Sequence, residues 1–222
     1  MDRLIANLTA YHLSSNSFDK FDLSKAEEER KRNGDVEQCI YGYDMYLTNT
    51  KDEALGFKNQ IDNAKYLYTV SINGSLKDFI DWFGDNSHLK KKCELLLKNN
   101  IKEIVINELE KCTSRTGLNN VLCRYNLDKY TLEAHEDEDK LSSEEKESVI
   151  SDVKKETKID FDIEDIINFD DDIYEEVYSL FNKDHKTTSK MFVSVGIIGV
   201  KANNYLVVFD MDNVTIVNKE EI

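Results

Sequence analysis

The sequence contains no proline, only 8 glycines and no long apolar run. Turns and helix ends must therefore be formed by glycine, asparagine, aspartate and serine. No stretch approaches the roughly 20 apolar residues that a membrane-spanning helix needs. The first residues also lack the basic-then-apolar order of a secretory signal. We therefore expect a protein that is neither embedded in a membrane nor secreted.

Cysteine is scarce as well, with Cys39, Cys93, Cys112 and Cys123 widely spaced and no C-x-x-C pair. A chain of 222 residues can bury enough surface to fold without disulfides. We therefore expect reduced thiols in a cytosol. The histidines supply no paired ligands beside a cysteine at the short spacing of a zinc site, so no metal site is expected.

Basic residues are few compared with acidic ones. The chain has 29 lysines and arginines against 44 aspartates and glutamates, which gives a formal net charge of −15. Such a chain is a poor electrostatic partner for nucleic acid or for an anionic membrane. With 40% hydrophobic and 33% charged residues, it has the composition of a folded globular protein.

The chain divides into three zones of different composition. Residues 1–83 combine short apolar runs with glycine, asparagine and serine, which predicts strands and loops. Residues 84–168 are rich in lysine and glutamate and have helical periodicity. Residues 169–222 contain helical stripes followed by strand-like runs. The sequence therefore predicts an α+β protein.

The middle zone carries a clear helical signal. Its apolar stripe repeats mostly at intervals of three and four, in the order Leu89, Cys93, Leu96, Leu97, Ile101, Ile104 and Val105. We expect an interruption at Asn99-Asn100. Ser142, three residues ahead of Glu145, predicts a capped helix start. The acidic run Glu136–Asp139 lacks the glycine-centred spacing of a calcium loop, so we interpret it as solvated.

In the last zone, two helical stripes precede three strands. The stripes are Tyr174, Val177, Tyr178 and Phe181, then Met191, Phe192 and Val195. Gly196 follows at a position where a left-handed helix stop requires glycine. The strand-like runs are Ile197–Val200, Tyr205–Phe209 and Val214–Val217.

Asp210-Met211-Asp212, after an apolar run, is similar to the first motif of haloacid-dehalogenase-type phosphatases. There the first aspartate attacks phosphorus beside a magnesium ion. Only 12 residues follow Asp210, however, and each parallel crossover needs a dozen or more. The phosphatase interpretation is therefore rejected.

Short motifs in the first and last zones occur in a characteristic order. In the first zone they are Tyr11-His12-Leu13-Ser14-Ser15, Phe18–Asp22, Tyr41–Thr48, Asp52–Phe57, Tyr66–Ile72 and Asp81-Trp82. In the last zone they are Ser189–Phe192, Gly196–Lys201, Asn204–Asp210 and Val214–Ile216. This order resembles the His-Tyr-Glu branch of the ADP-ribosyltransferases, and most closely the small transferase domains of phage and plasmid polyvalent proteins.

The resemblance implies a fold and an activity. The fold would be one domain over residues 1–222, with two small antiparallel or mixed sheets around an NAD cleft, flanking helices and a helical, acidic insertion at about 85–168. The activity would be NAD-dependent mono-ADP-ribosylation of a macromolecular target, expected to be a protein, with NAD consumed. The setting would be a bacterial cytosol, with the chain acting as a phage or mobile-element effector.

The resemblance also implies roles for individual residues. His12 would hydrogen-bond the 2′-hydroxyl of the nicotinamide ribose, since imidazole can donate and accept. The main chain of Leu13 would bind the nicotinamide amide, and Tyr46 and Phe57 would stack on the ring. Further cofactor-binding positions are Ser14 and Ala54. The catalytic set is His12, Tyr46 and Asn204.

The chain departs from the family pattern at the catalytic acid. The family's glutamate position matches Asn204 or Tyr205, depending on a one-residue bulge, and neither is acidic. This favours transfer of a single ADP-ribose unit over chain elongation. Leu13 also replaces the usual glycine. Two alternatives stay open: an NAD glycohydrolase that uses the same pocket, and a catalytically degenerate fold that acts as a binding or inhibitor module.

Overall fold

The computed structural model describes residues 7–22, 45–61, 63–133, 139–170 and 172–222. These ranges contain strands β1 (Asn7–Ser14), β2 (Met45–Thr48), β3 (Tyr66–Asn73), β4 (Phe79–Asp81), β5 (Gly199–Ala202), β6 (Tyr205–Val208) and β7 (Val214–Glu221). They also contain helices α1 (Lys51–Gly56), α2 (Lys90–Lys111), α3 (Arg115–Arg124), α4 (Ser143–Lys155), α5 (Ile173–Phe181) and α6 (His185–Ser194). The predicted α+β class is confirmed.

The strands form one mixed sheet in the order β4-β5-β6-β2-β1-β3-β7. Neighbours are antiparallel except β4 and β5, which are parallel. β1 pairs with β3 along its whole length, but among the described residues it pairs with β2 only through Tyr11 and Thr48. We expected two small sheets. The described residues instead form one seven-stranded sheet, in which a four-stranded part and a three-stranded part join at a single described residue pair.

The two faces of the sheet carry separate apolar clusters because side chains alternate along each strand. In β2, Met45 and Leu47 belong to a cluster with Tyr68, whereas Tyr46 packs against the larger cluster formed with the helices. A third, small cluster consists of Leu13, Ala54 and Leu67. The first strands therefore contribute to three different packing environments within a few residues.

The middle zone is mainly helical, as its periodicity predicts, although residues 134–138 lie outside the described part of the chain. The predicted interruption at Asn99-Asn100 was wrong, because α2 continues through both residues and Asn100 Nδ2 donates to the carbonyl oxygen of Leu96 at 2.8 Å. The predicted cap was right: Ser142 and Glu145 form a reciprocal capping box at the start of α4. Whether this segment is an insertion stays a prediction.

The helices of the middle zone are part of the main core. Leu96 and Val105 of α2 share one buried cluster with Ile80 of β4 and Val207 of β6. In the last zone, the predicted stripe of α5 is buried at Tyr174, Val177 and Phe181. Gly196 follows α6 with φ at +79°, as its predicted role as a helix stop requires.

Some sequence predictions fall outside the described residues, namely those on Cys39, Tyr41–Asp44 and Glu136–Glu138. The other three cysteines, Cys93, Cys112 and Cys123, are free thiols. Among the described helices, none combines the length and apolar character needed to cross a membrane. No cluster of three or more potential metal ligands occurs among the described side chains.

Candidate functional site

A cavity of about 260 Å³ lies beside the single pair that joins β1 to β2. Five of the residues predicted to bind the cofactor line it: His12, Leu13, Tyr46, Ala54 and Phe57. Tyr205 of β6 and Ile61 also contribute to the lining. We call this space the aromatic cavity. It is smaller than the roughly 300–1,000 Å³ of pockets that enclose a drug-sized ligand, so it suits a single ring.

His12 links the two strands beyond their one backbone pair. Its Nδ1 atom lies 3.1 Å from the carbonyl oxygen of Tyr46, and the ring is half-buried. Burial lowers the pKa of His12 to about 4, although the hydrogen bond to Tyr46 opposes this shift. The ring is therefore neutral near pH 7. A carbonyl oxygen only accepts hydrogen bonds, so Nδ1 carries the proton and Nε2 is left as an acceptor.

The other side of the His12 ring packs against aromatic residues. Phe21 meets it edge-on, with ring centroids 5.6 Å apart. The centroids of Phe18 and Tyr68 lie 6.2 and 6.3 Å from that of His12. The imidazole thus stands between the aromatic cavity and a cluster of three aromatic side chains, which fixes the orientation of the ring.

Helix α1 brings Ala54 and Phe57 to the cavity. Thr50 caps this short helix by accepting a hydrogen bond from the backbone N–H of Glu53, and the Glu53 carboxylate accepts from the backbone N–H of Thr50. Because residues three apart lie on the same side of a helix, Ala54 and Phe57 both face the strands. The capping box stabilises the start of the short helix, and Phe57 follows directly after its last residue.

Tyr46 and Phe57, which we expected to stack on the nicotinamide ring, both line the cavity. Phe57 also contacts the ring of Tyr205, with centroids 5.8 Å apart and an angle of 50° between the ring planes. Tyr46 lines the same cavity while packing against the helical core. With Tyr11 included, four phenylalanine and tyrosine side chains therefore line one small space beside His12.

Asn204 does not reach the aromatic cavity. It is exposed in the turn between β5 and β6, where its carbonyl oxygen accepts from the backbone N–H of Asn49 at 3.2 Å. The next residue, Tyr205, begins β6, pairs with Thr48 and lines the cavity. Of the two positions that the sequence left open for the catalytic acid, the structure brings Tyr205 to the site.

Ser14 also lies apart from the cavity lining. Its hydroxyl accepts from the backbone N–H of Asn16 at 3.1 Å, and its carbonyl oxygen accepts from the backbone N–H of Lys65 at 3.0 Å. Ser14 is the last residue of β1, and its polar groups are used in the turn that follows. Its prediction as a cofactor-binding residue therefore has no support from this geometry.

The cavity lining carries no charge among the described residues. It contains no aspartate, glutamate, lysine or arginine, and His12 is neutral near pH 7. The nearest acidic residue along α1, Glu53, is used in the capping box.

Sequence reasoning missed Thr48 and Ile61, which line the cavity. Thr48 was detectable in principle, because it is the second residue after Tyr46 and so shares its face of β2.

The rejected phosphatase motif has a structural role. Asp210 caps a short 3₁₀ turn, Met211–Asn213, by accepting from the backbone N–H of Asp212 at 3.0 Å. Asp212 is exposed and lies 3.7 Å from Lys20. Asp210 therefore stabilises a turn, and Asp212 takes part in a surface ion pair.

In comparisons with known proteins, no protein-family model, no curated protein and no solved structure matches the chain.

Proposed function

We propose that this chain is an NAD-dependent mono-ADP-ribosyltransferase with the nicotinamide ring in the aromatic cavity. One observation carries the proposal: His12, Leu13, Tyr46, Ala54 and Phe57, selected by motif resemblance from separate motifs, line one cavity. The narrow join between β1 and β2 is consistent with the two-sheet cleft of an ADP-ribosyltransferase-like fold.

The chemistry of the cavity suits the nicotinamide end of NAD. The ring of NAD is a planar cation, and cations are attracted to the faces of aromatic rings. Tyr46, Phe57 and Tyr205 supply such rings, and no charged group competes for the space among the described residues. The main chain of Leu13 is the proposed partner of the nicotinamide amide.

His12 is suited to orient the ribose. Since Nδ1 donates to the carbonyl oxygen of Tyr46, Nε2 can accept a hydrogen bond from the ribose 2′-hydroxyl. In the reaction the bond between the nicotinamide nitrogen and ribose C1′ breaks, and the nitrogen keeps the electron pair. The acceptor nucleophile then bonds to C1′ and releases its proton. A fixed, neutral imidazole holds the ribose without adding charge to the developing cation.

The acceptor and the setting follow from the resemblance. The proposed acceptor is a protein in a bacterial cytosol, modified by a phage or mobile-element effector. The strongly acidic chain would favour a target with a basic surface. An NAD glycohydrolase would use the same cavity with water as the acceptor.

The uncharged lining favours a second candidate. A carboxylate usually stabilises the developing oxocarbenium ion, and none lines the aromatic cavity within the described part of the chain. A phenol at Tyr205 can form hydrogen bonds but supplies no full negative charge of the kind a carboxylate does. The second candidate is therefore a catalytically degenerate fold that binds NAD, or a partner, without turnover.

The test combines binding and product analysis. Titration calorimetry with NAD and with nicotinamide would measure binding by the wild type, by Phe57→Leu and by a control, Phe83→Leu, whose ring is 66% exposed and outside the cavity lining. We expect Phe57→Leu to weaken both ligands about tenfold through loss of ring contacts, and the control to leave both unchanged. Equal binding by wild type and Phe57→Leu would overturn the site.

Product analysis separates the candidate functions. Bacterial lysate incubated with the protein and labelled NAD would be searched by mass spectrometry for a macromolecule that gains one ADP-ribose unit. Such a product supports the transferase, and free ADP-ribose alone supports the glycohydrolase. NAD binding without consumption supports the degenerate candidate.

A further inference from the structure

A second and larger space adjoins the aromatic cavity. It measures about 860 Å³ and lies between the segment after β1, helix α6 and the turn after β6. We call it the polar cleft. Phe21 lines it and contacts the ring of His12, which lines the aromatic cavity, so these two side chains stand between the spaces. The volume lies in the range of pockets that enclose a complete small-molecule ligand.

Helix α6 presents one polar face to the cleft. Lys186, Ser189, Lys190 and Val193 follow the helical spacing of three and four residues and all line the cleft. On another side of the same helix, Phe192 is fully buried in the main core. The apolar side thus anchors the helix, and the lining side chains are held on a fixed surface.

The Ser189 hydroxyl is the most informative group in the cleft. Ser189 is only 1% exposed, and its Oγ atom makes no hydrogen bond to any described residue. Its neighbour Thr188 does satisfy its hydroxyl, by donating to the carbonyl oxygen of Asp184 at 3.1 Å. Buried polar groups are nearly always paired, so an enclosed, unpaired hydroxyl on a residue of the cleft wall points to a ligand partner that it reaches by rotation of its side chain.

The charges around the cleft indicate the ligand class. Lys190 makes no ion pair within the described chain, whereas Lys20 lies 3.7 Å from Asp212, and Asp19 lies 3.4 Å from Lys219. Three lysines and four aspartates line the cleft in total. A ligand that matches this mixed lining has an anionic group that pairs with the lysines. It also has hydroxyl or amino groups that donate hydrogen bonds to the aspartate carboxylates.

An aromatic surface completes the cleft. Phe18 lines it and stacks on Tyr68, with ring centroids 4.3 Å apart and planes 5° apart. The Tyr68 hydroxyl holds this segment in place, since it accepts from the backbone N–H of Phe18 at 2.9 Å and donates to the carbonyl oxygen of Asn16 at 3.0 Å. Phe18 is half-buried, so its ring offers a surface for a further planar group.

We propose that the polar cleft binds a nucleoside phosphate. The phosphate accepts hydrogen bonds from Ser189 Oγ and Lys190 Nζ, the base packs on Phe18, and aspartates accept from ribose or base donors. The nucleoside phosphate has two sources: the ADP half of a dinucleotide whose other end enters the aromatic cavity, or a separate nucleotide. The inference does not depend on the proposed transferase activity, because the groups that bind the nucleotide all line the polar cleft.

The test measures ADP binding by calorimetry. We expect Ser189→Ala and Lys190→Gln each to weaken ADP about tenfold, because each removes a hydrogen bond to a charged group. Two matched controls should bind like the wild type. Ser194→Ala removes an exposed hydroxyl from the same helix, and Lys91→Gln removes an exposed lysine from α2.

A stability readout separates binding from folding. Removing an unpaired buried hydroxyl should leave the melting temperature of the ligand-free Ser189→Ala protein unchanged or raise it, while the ADP-induced rise in melting temperature is lost. No ADP binding by the wild type, or equal ADP binding by the wild type and both variants, would overturn the proposal.

Competition identifies the source of the nucleotide. If NAD displaces ADP and Ser189→Ala weakens both, a single dinucleotide spans the two spaces. If ADP and nicotinamide bind together and NAD does not displace ADP, a separate nucleotide occupies the cleft. ADP binding in the absence of any nicotinamide or NAD binding would support this inference while overturning the proposed function.

Discussion

The aromatic cavity and the polar cleft are neighbours with opposite chemistry. The first is small, uncharged and lined by residues of β1, β2, α1 and β6, whereas the second is larger and lined by lysines and aspartates. His12 and Phe21, whose ring centroids are 5.6 Å apart, stand between them. The difference shows that one short boundary can separate an uncharged space lined by aromatic rings from a space lined by charged side chains.

The largest expected effect is on stability and comes from protonating His12, which places a positive charge beside the uncharged cavity. The pKa of His12 is lowered from 6.5 to about 4 by burial, so the unfolded chain takes up a proton at a higher pH than the folded protein does. The neutral ring's contribution to stability is fully present above pH 6.5 and is lost as the pH falls towards 4. The free energy of unfolding should fall by about 3 kcal/mol over this range through His12 alone.

The measurement compares the wild type with His12→Gln by urea unfolding at several pH values. Glutamine keeps a hydrogen-bond donor but does not titrate, and contributions from carboxylates shared by the two proteins cancel. The wild type should therefore lose about 3 kcal/mol more than the variant between pH 6.5 and pH 4. Parallel pH profiles for the two proteins would contradict a neutral His12 in the folded protein.

The next effect tests which residue of the β5–β6 turn belongs to the aromatic cavity. Tyr205→Ala removes a ring that contacts Phe57 and should weaken nicotinamide binding about tenfold. Asn204→Ala removes an exposed side chain and keeps the backbone carbonyl that Asn49 uses, so binding should change by less than about twofold. Calorimetry with nicotinamide measures binding by both variants. A larger loss of binding for Asn204→Ala than for Tyr205→Ala would show that Asn204, and not Tyr205, belongs to the aromatic cavity.

The smallest effect separates the two sites. Tyr68→Phe keeps the buried ring but removes the hydroxyl that holds the segment Asn16–Phe18, at a cost to stability of about 1 kcal/mol. Because Phe18 lines the polar cleft and not the aromatic cavity, ADP binding should weaken several-fold while nicotinamide binding stays unchanged. Equal losses for both ligands would show that the two spaces act as one.

Some features of this chain were predictable because they depend on neighbours in sequence. The stripe of α2 is set by helical periodicity, the capping box by the three-residue spacing of Ser142 and Glu145, and the helix stop by the left-handed backbone at Gly196. The interruption at Asn99-Asn100 was wrong because propensity is a weak guide: buried apolar contacts on both sides hold the helix through these residues.

The candidate site was predictable only in part. The motif resemblance selected five of the lining residues, but it left Asn204 and Tyr205 open and included Ser14. Whether Asn204 or Tyr205 reaches the cavity depends on where β6 begins. Whether Ser14 can bind a ligand depends on the hydrogen bonds that its polar groups make in the turn after β1. That Ser189 is buried without a hydrogen-bond partner depends on packing between α6 and residues more than 160 positions away in the chain, which a local pattern does not encode.

By itself the sequence determined the α+β class, the helical middle zone, the acidic surface and the residue types available for chemistry, because these follow from composition and short-range periodicity. Only the tertiary structure decided that β1 and β2, as described, meet at one pair, that His12 stands neutral between two spaces, and that Ser189, whose hydroxyl is unpaired, belongs to the wall of the larger one. The physical reason is that strand pairing, desolvation and hydrogen-bond satisfaction depend on groups brought together from distant parts of the chain.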